Sequence, residues 1–364
     1  MPSKQSVFRG CLLGLAVGDA MGNTVDSRNL EEICRDYGPN GLLGYDLVNG
    51  YADVTSYTQI AAFTANGLLM GLTRGQLQGR MAPLVRYIAL AVKEWSRSQQ
   101  YGPIERNYCW LSSTMELRRR HCMDTRMLDM LNRDPLGTPE EPTNRYTQPG
   151  ALTEAIAVAM LSPHRYMPQE ELDRLGAEAI ALTHGDPESF LAGAVLTHAL
   201  SLVLAGQSDV KEISRQTRDA IQLQFGREYP KTTHIWELLL HAATLAQSDT
   251  ITQMAAMEQL QCRTCGEVLA GAMYACLTCH GDFDAAMITA VNHSGRSAAV
   301  GAVTGALLGA WMGEDALPEF YMESLEPTEL LRELADDLAQ GCSMDRSSRL
   351  FDDDWDRKYI HAGK

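Results

Sequence analysis

The sequence predicts an all-α fold in a single domain, and three observations predict it. Apolar residues recur at spacings of three and four along most of the chain, while strand-like alternation is scarce. Helix caps and breakers fall between the periodic stretches: Asp186-Pro187-Glu188 offers an N-cap, a proline at the first helical position and an acid in the first turn, and Gly206 closes the same segment. Two glycine stripes, Gly10-Gly14-Gly18-Gly22 and Gly301-Gly305-Gly309, repeat every four residues. Glycine inside a helix costs about 1 kcal/mol against alanine, so such rows need close helix approach or a ligand against the backbone. Both stripes adjoin polar motifs, "GDAMG" and "NHSGRSAA". The two ends of the chain are therefore expected to meet at one place.

The elements follow in order. After the first glycine stripe, a helix is predicted from Thr58 onward, with Ile60, Phe63, Gly67 and Met70 on one face and the uncharged Thr55-Ser56-Tyr57 just ahead of it. Amphipathic helices are expected over 81–95, 168–182, 232–246 and 326–338. Pro103, Pro135, Pro142 and Pro149 punctuate the middle, and 134–146 reads as the longest surface loop. The uncharged, Gly/Ala-rich run 297–313 is too short for a membrane span and reads as a buried helix. The acidic tail at 345–364 reads as a solvated terminus, although Phe351, Trp355 and Tyr359 at i, i+4, i+8 would suit docking.

No linker, low-complexity block or solenoid repeat interrupts the 364 residues. A formal charge of −15 argues against a nucleic-acid or anionic-membrane surface. Asp19 breaks the apolar run that follows Lys4 and Arg9, which argues against a signal peptide and leaves a cytoplasmic protein as the expectation. Among nine cysteines, Cys262, Cys265, Cys276 and Cys279 form two CxxC pairs followed by His280. That spacing fits structural zinc. The helical period of the second pair fits buried thiols on a core-facing helix instead.

Four stretches together resemble the ADP-ribosylglycohydrolase family: "FRGCLLGLAVGDAMGNTVDSRNLEEICRDYGPNGLLGYD", "TSYTQIAAFTANGLL", "ALTHGDPESFLAGAVLTHAL" and "GDFDAAMITAVNHSGRSAAVGAVTGALLGAWMG". Coverage runs from Phe8 to Gly313, with 98–146 poorly matched. The resemblance implies an orthogonally packed helix bundle whose cleft lies where these stretches converge. It also implies two Mg²⁺ ions, held mainly by aspartates of the second and fourth stretches, which orient ADP-ribose and a water that cleaves its glycosidic bond. Mg²⁺ demands hard oxygen ligands, so those carboxylates are a chemical need.

This sequence departs at each of them. Ser56-Tyr57 stand for the family's Asp-Asp, between the retained Thr55, Thr58 and Gln59, and Arg296-Ser297-Ala298-Ala299 stand for its Asp-x-Asp-Thr after the retained Gly295. A register slip that made Asp53 a ligand would break the match at Thr58 and Gln59. Asp26 stands where many members carry a glutamate near substrate, and Asp19 reads as support for the turn at "GDAMG". Exchanging four aspartates and two magnesium ions for uncharged residues and one arginine keeps the charge balanced. The expectation is a site without magnesium, in which Thr55, Ser56, Tyr57, Gly295, Arg296 and Ser297 form the ligand surface and Asp26 is the candidate catalytic group. Arg296 pointing into the cleft, toward Asp26 or a ligand phosphate, stands against Arg296 as a helix or surface partner; Tyr57 is core filling or a ligand platform. His184 reads as a hydrogen bonder at a helix start.

Three functions remain open at this level. One is a catalytically silent member that binds an ADP-ribose-like or other nucleotide ligand, or an ADP-ribosylated protein. The second is a metal-independent glycohydrolase with Asp26 as acid or base and Arg296 as electrostatic clamp. The third is a structural or interaction protein on the same fold.

Overall fold

The computed structural model describes residues 2–100, 107–117, 119–121, 124–279, 281–344 and 352–362. Among them the chain is helical throughout, with two isolated bridges, Val48–Tyr51 and Ala52–Leu325, in place of any strand. The fold class read from periodicity holds.

At the centre lie the two glycine-striped helices, Lys4–Asn23 and Ser297–Met312, which share the largest helix–helix contact in the molecule. They run antiparallel: Gly10 faces Gly309, Gly14 faces Gly305, Gly18 faces Gly301 and Gly22 faces Ser297. A Cβ placed on any of these glycines would collide with a backbone carbonyl of the partner helix. The stripe thus exists to let two backbones touch. Because the helices are antiparallel, the end of the first, near Gly22, meets the start of the second, near Ser297, as the sequence led us to expect.

Around this pair pack Ser56–Gln78 and Thr328–Gln340, and Pro187–Leu204, Cys265–Thr278 and Phe283–Val291. Pro187–Leu204 is long and apolar enough to cross a membrane, and most of it is buried in the bundle. The proposed cap holds, since the Asp186 side chain accepts from Glu188 N–H and Gly206 follows the helix at φ 89°. The other amphipathic stretches form helices Leu84–Ser98, Gln169–Ala181, Lys231–Leu245 and Thr328–Gln340, each within a few residues of its expected bounds.

Two expectations change. Helix Ser56–Gln78 starts at Ser56, ahead of Thr58, because the Thr55 side chain caps Tyr57 N–H and Asp19 holds the first turn. The tail is a docked element over its described part: Trp355 is buried and donates Nε1–H to Thr73 Oγ1 at 2.9 Å, and the buried Tyr359 donates to Asp337 at 2.6 Å. Phe351 and His280 lie outside the described residues.

Candidate functional site

Asp19 organises the first wall. It lies inside helix Lys4–Asn23, fully buried, and not in a turn as its flanking glycines implied. Its carboxylate accepts four hydrogen bonds from the start of Ser56–Gln78: the N–H and hydroxyl of Thr55 at 2.8 and 2.6 Å, and those of Thr58 at 3.0 and 2.6 Å. Burial pushes the Asp19 carboxyl up to about 6 although these bonds pull it down. At neutral pH it is an anion saturated by donors at a helix N-terminus. Thr55 is therefore spent on Asp19, and Ser56 N–H donates to the His121 carbonyl at 2.9 Å. Gln59 ties the same crossing segment by donating to the Arg119 carbonyl at 2.9 Å while accepting from Trp95 Nε1. Asp53 pairs with Arg119, which also reaches Glu326, so it stands in an ion-pair network of its own.

The second wall is the start of helix Ser297–Met312. Gly295 is packed so tightly that a Cβ would strike the carbonyls of Gln261 and Cys262. Those two residues adopt left-handed φ of 59° and 53°, and the Cys262 carbonyl accepts Arg296 N–H at 2.7 Å. The buried His293 accepts Gly295 N–H on Nδ1 at 2.9 Å, which leaves Nε2 to donate to the Ala290 carbonyl at 3.0 Å. Burial pulls this imidazole down to about 4, so it stays neutral. The Ser297 side chain is turned back onto the His293 carbonyl at 3.3 Å. These contacts fix where Arg296 leaves the backbone.

Its guanidinium reaches the turn after the first helix, where Nη2 lies 3.4 Å from Asp26 Oδ2. Asp26 also accepts from Ala298 N–H at 3.1 Å and from the Ser27 hydroxyl at 3.2 Å. Its side chain is 1% exposed, against 25% for Arg296. Burial raises the Asp26 carboxyl, opposed by Arg296, Ala298 and Ser27 in that order. Beneath the guanidinium lies Tyr57, fully buried; burial raises its phenol strongly while the nearby Arg296 pulls it back. The Tyr57 hydroxyl and the Arg296 guanidinium interact with each other, although neither the hydroxyl nor Arg296 Nε makes a hydrogen bond of ordinary geometry. The structure thus brings Asp26, Tyr57 and Arg296 together, places Ser56 and Ser297 at the two helix starts around them, and leaves Thr55 engaged elsewhere.

The sequence matches the family profile described as ADP-ribosylglycohydrolase over residues 1–348. The chain belongs to the ADP-ribosylglycohydrolase family. No curated protein matches it. A solved structure described as "ADP-ribosylglycohydrolase-related protein complex" has a TM-score of 0.55 at 21% sequence identity, covering 94% of this chain and 99% of that one, a likeness of fold.

One participant in this ADP-ribosylglycohydrolase-family site was not legible in the sequence. Asp124 acts electrostatically on Arg296 from a further side. It precedes the short helix Thr125–Leu131, accepting from Arg126 N–H, and its Oδ2 lies 3.3 Å from His184 Nε2. Burial alone would raise its carboxyl, but His184 and the backbone N–H groups of Arg126 and Met127 hold it below the usual range. An aspartate before a helix is a cap signal, and nothing in the sequence turns that cap toward Arg296. His184, expected as a hydrogen bonder at a helix start, bonds the N-cap residue Asp124 and the Thr183 hydroxyl.

The four cysteines do not converge. Cys262 packs against Gly271, Cys265 donates to the Gln148 carbonyl, Cys276 faces Met273, Leu307 and Trp311, and Cys279 meets Thr289. No cluster of three or more His, Cys, Asp or Glu suited to a metal ion occurs among the described residues. Burial raises the Cys262 thiol above the usual range and pushes Cys265 and Cys276 up to about 12, as expected of core thiols.

Proposed function

We propose that this family member is silent for metal-dependent hydrolysis and binds an ADP-ribose-like ligand, free or attached to a modified protein, through Arg296 without a divalent ion. One observation carries the reading: the Arg296 guanidinium stands just ahead of helix Ser297–Met312, against the fully buried Tyr57 hydroxyl and 3.4 Å from Asp26, with no hydrogen bond of ordinary geometry at its Nε. Leaving a buried donor unpaired costs about 1–3 kcal/mol. A cation at a helix start with an N–H to spare suits an oxyanion, and a planar guanidinium is the side chain suited to hold one.

The residues present do not suit the two magnesium ions that the family resemblance implies. Both Asp19 oxygens are committed to Thr55 and Thr58, Asp26 is paired with Arg296, and the remaining positions carry Ser56, Tyr57 and a cation. A Mg²⁺ ion placed beside that guanidinium would meet like charge and too few carboxylates.

The test is incubation with ADP-ribosylated arginine, in EDTA and in Mg²⁺, with product followed by chromatography and binding of ADP-ribose followed by calorimetry. Binding in EDTA with no turnover in either buffer is the expected result. Turnover that requires Mg²⁺ would refute the proposal. Turnover in EDTA would make Asp26 a general acid rather than a bystander.

A further inference from the structure

We infer that residues 43–52 and the short helix Glu319–Ser324 form a docking face beside the cleft for a partner protein. The partner offers an amphipathic segment in which lysine or arginine flanks apolar residues.

Nine large apolar side chains are exposed among the described residues, and five of them gather here: Leu43, Leu47, Val48, Tyr51 and Phe320. Exposed apolar residues scattered singly need no explanation, whereas a group of five does. The loop runs beside the helix. The Tyr45 ring packs on Tyr321, Tyr321 packs on Phe320, and Ala52 N–H donates to the Ser324 carbonyl at 2.8 Å.

The tip of the loop is a tight turn. Val48 and Tyr51 exchange both backbone hydrogen bonds, at 3.0 and 3.1 Å, around Asn49 and Gly50 at φ 54° and 86°. Two successive left-handed residues make the hairpin turn that Asn-Gly favours, and it holds Val48 and Tyr51 side by side. A preformed tip has little ordering entropy to lose on binding. Both ends of the loop are fixed by the walls of the cleft. Leu42 N–H donates to Asn292 Oδ1 at 2.7 Å, shortly before Arg296, and Ala52 leads into Thr55, which Asp19 holds. A partner seated on this face therefore lies next to the cleft.

Charge decides which partner. No lysine or arginine occurs in 36–73, 264–295 or 313–331, the segments that meet here through Asn292, Asp284 and Tyr321. Arg119 approaches from elsewhere and is spent on Asp53 and Glu326. The exposed Asp46, Glu319 and Glu323 are in no ion pair among the described residues. A second copy of the chain would set these carboxylates against themselves, and an anionic membrane would meet the same repulsion. A basic amphipathic segment suits both features, with its apolar side on the five exposed side chains and its cations on the carboxylates.

The test is fluorescence anisotropy of the full-length chain with labelled helical peptides built from leucine and lysine, at low and physiological salt. The wild type should bind this peptide, more weakly as salt rises, and bind a leucine–glutamate counterpart at least about tenfold less tightly. Val48→Ser with Phe320→Ser should cost at least about tenfold in affinity. Glu319→Gln with Glu323→Gln should weaken binding and flatten its salt dependence. Leu223→Ser with Leu240→Ser, exposed leucines on helices Val210–Phe225 and Lys231–Leu245, should change nothing. All six positions are exposed, and circular dichroism checks that each variant is folded. If Val48→Ser with Phe320→Ser binds as tightly as the wild type, or the wild type does not bind, the proposal is overturned. Sedimentation of the wild type alone and flotation with phosphatidylserine vesicles address the other occupants. Self-association or vesicle binding that Val48→Ser with Phe320→Ser removes would overturn the proposal in favour of a second copy or a membrane.

Discussion

Gly18 and Gly301 face each other across the central helix pair so closely that neither has room for a Cβ, and the site hangs on that contact. The residue after Gly18 is Asp19, which fixes the start of Ser56–Gln78, and Arg296 lies just ahead of the helix that carries Gly301. Backbone contact between two chain ends thus sets the spacing of Tyr57, Asp26 and Arg296.

Gly14→Ala and Gly305→Ala should each destabilise the protein by about 3 kcal/mol or more, because the new methyl meets backbone that cannot rotate away. Gly38→Ala is the contrast. It has open space around it, and only its positive φ of 93° penalises a side chain, so it should cost about 1 kcal/mol. Denaturant midpoints of the three variants check the ranking.

Asp19 gives a pH dependence whose sign can be worked out. Its carboxyl lies at about 6 in the fold against an ordinary value of 3.8, so between those pH values the folded chain holds a proton that the unfolded chain has released. The associated stability is fully present below about pH 4 and lost as pH rises through 6. Relative to Asp19→Asn, the wild type should therefore gain roughly 1–3 kcal/mol on acidification from pH 7 to pH 4. Paired urea titrations at the two pH values measure it; a wild-type stability that falls relative to Asp19→Asn on acidification would refute the assignment.

Glu154 is fully buried at the start of helix Glu154–Ala159, and neither carboxyl oxygen has a hydrogen-bond partner among the described residues. Burial pushes its carboxyl well above the ordinary range. Glu154→Met keeps the volume and removes the polar group, and should stabilise the fold by about 1–3 kcal/mol at neutral pH. Since the raised carboxyl favours folding at low pH and loses that advantage as pH rises, the gain should grow between pH 5 and pH 8. Thermal melts at those two pH values are the check.

Trp355 anchors the tail, burying its ring and bonding Thr73. Trp355→Ala should cost about 3 kcal/mol, and Thr73→Val, which removes only the acceptor, about 1 kcal/mol. Chemical denaturation of the two variants should return that order, and equal losses would mean that the ring contributes little.

Much of the fold was readable because its signals are local. The four-residue glycine period, the cap at Asp186 and the amphipathic faces each lie within a few turns of chain, and all recur in the structure. The site was half readable. Asp26 and Arg296 could be paired because both lie in family-like segments whose ends the glycine stripes bring together. Asp124 could not, since its approach to Arg296 depends on how the chain at Arg119 and His121 crosses the start of Ser56–Gln78. Thr55, expected on the ligand surface, is engaged by Asp19, and nothing local in the sequence reveals that bond. Tail docking likewise depends on Thr73 and Asp337, hundreds of residues earlier and on a separate helix respectively.

The central claim is that Arg296 stands in for a metal as the cation of the cleft. Calorimetry of ADP-ribose against wild type and Arg296→Gln, both in EDTA and then in Mg²⁺, tests it most directly. The account predicts wild-type binding that Mg²⁺ leaves unchanged, and loss of at least about tenfold in affinity on removing the guanidinium charge. Binding that appears only with Mg²⁺, or that Arg296→Gln leaves intact, would contradict it.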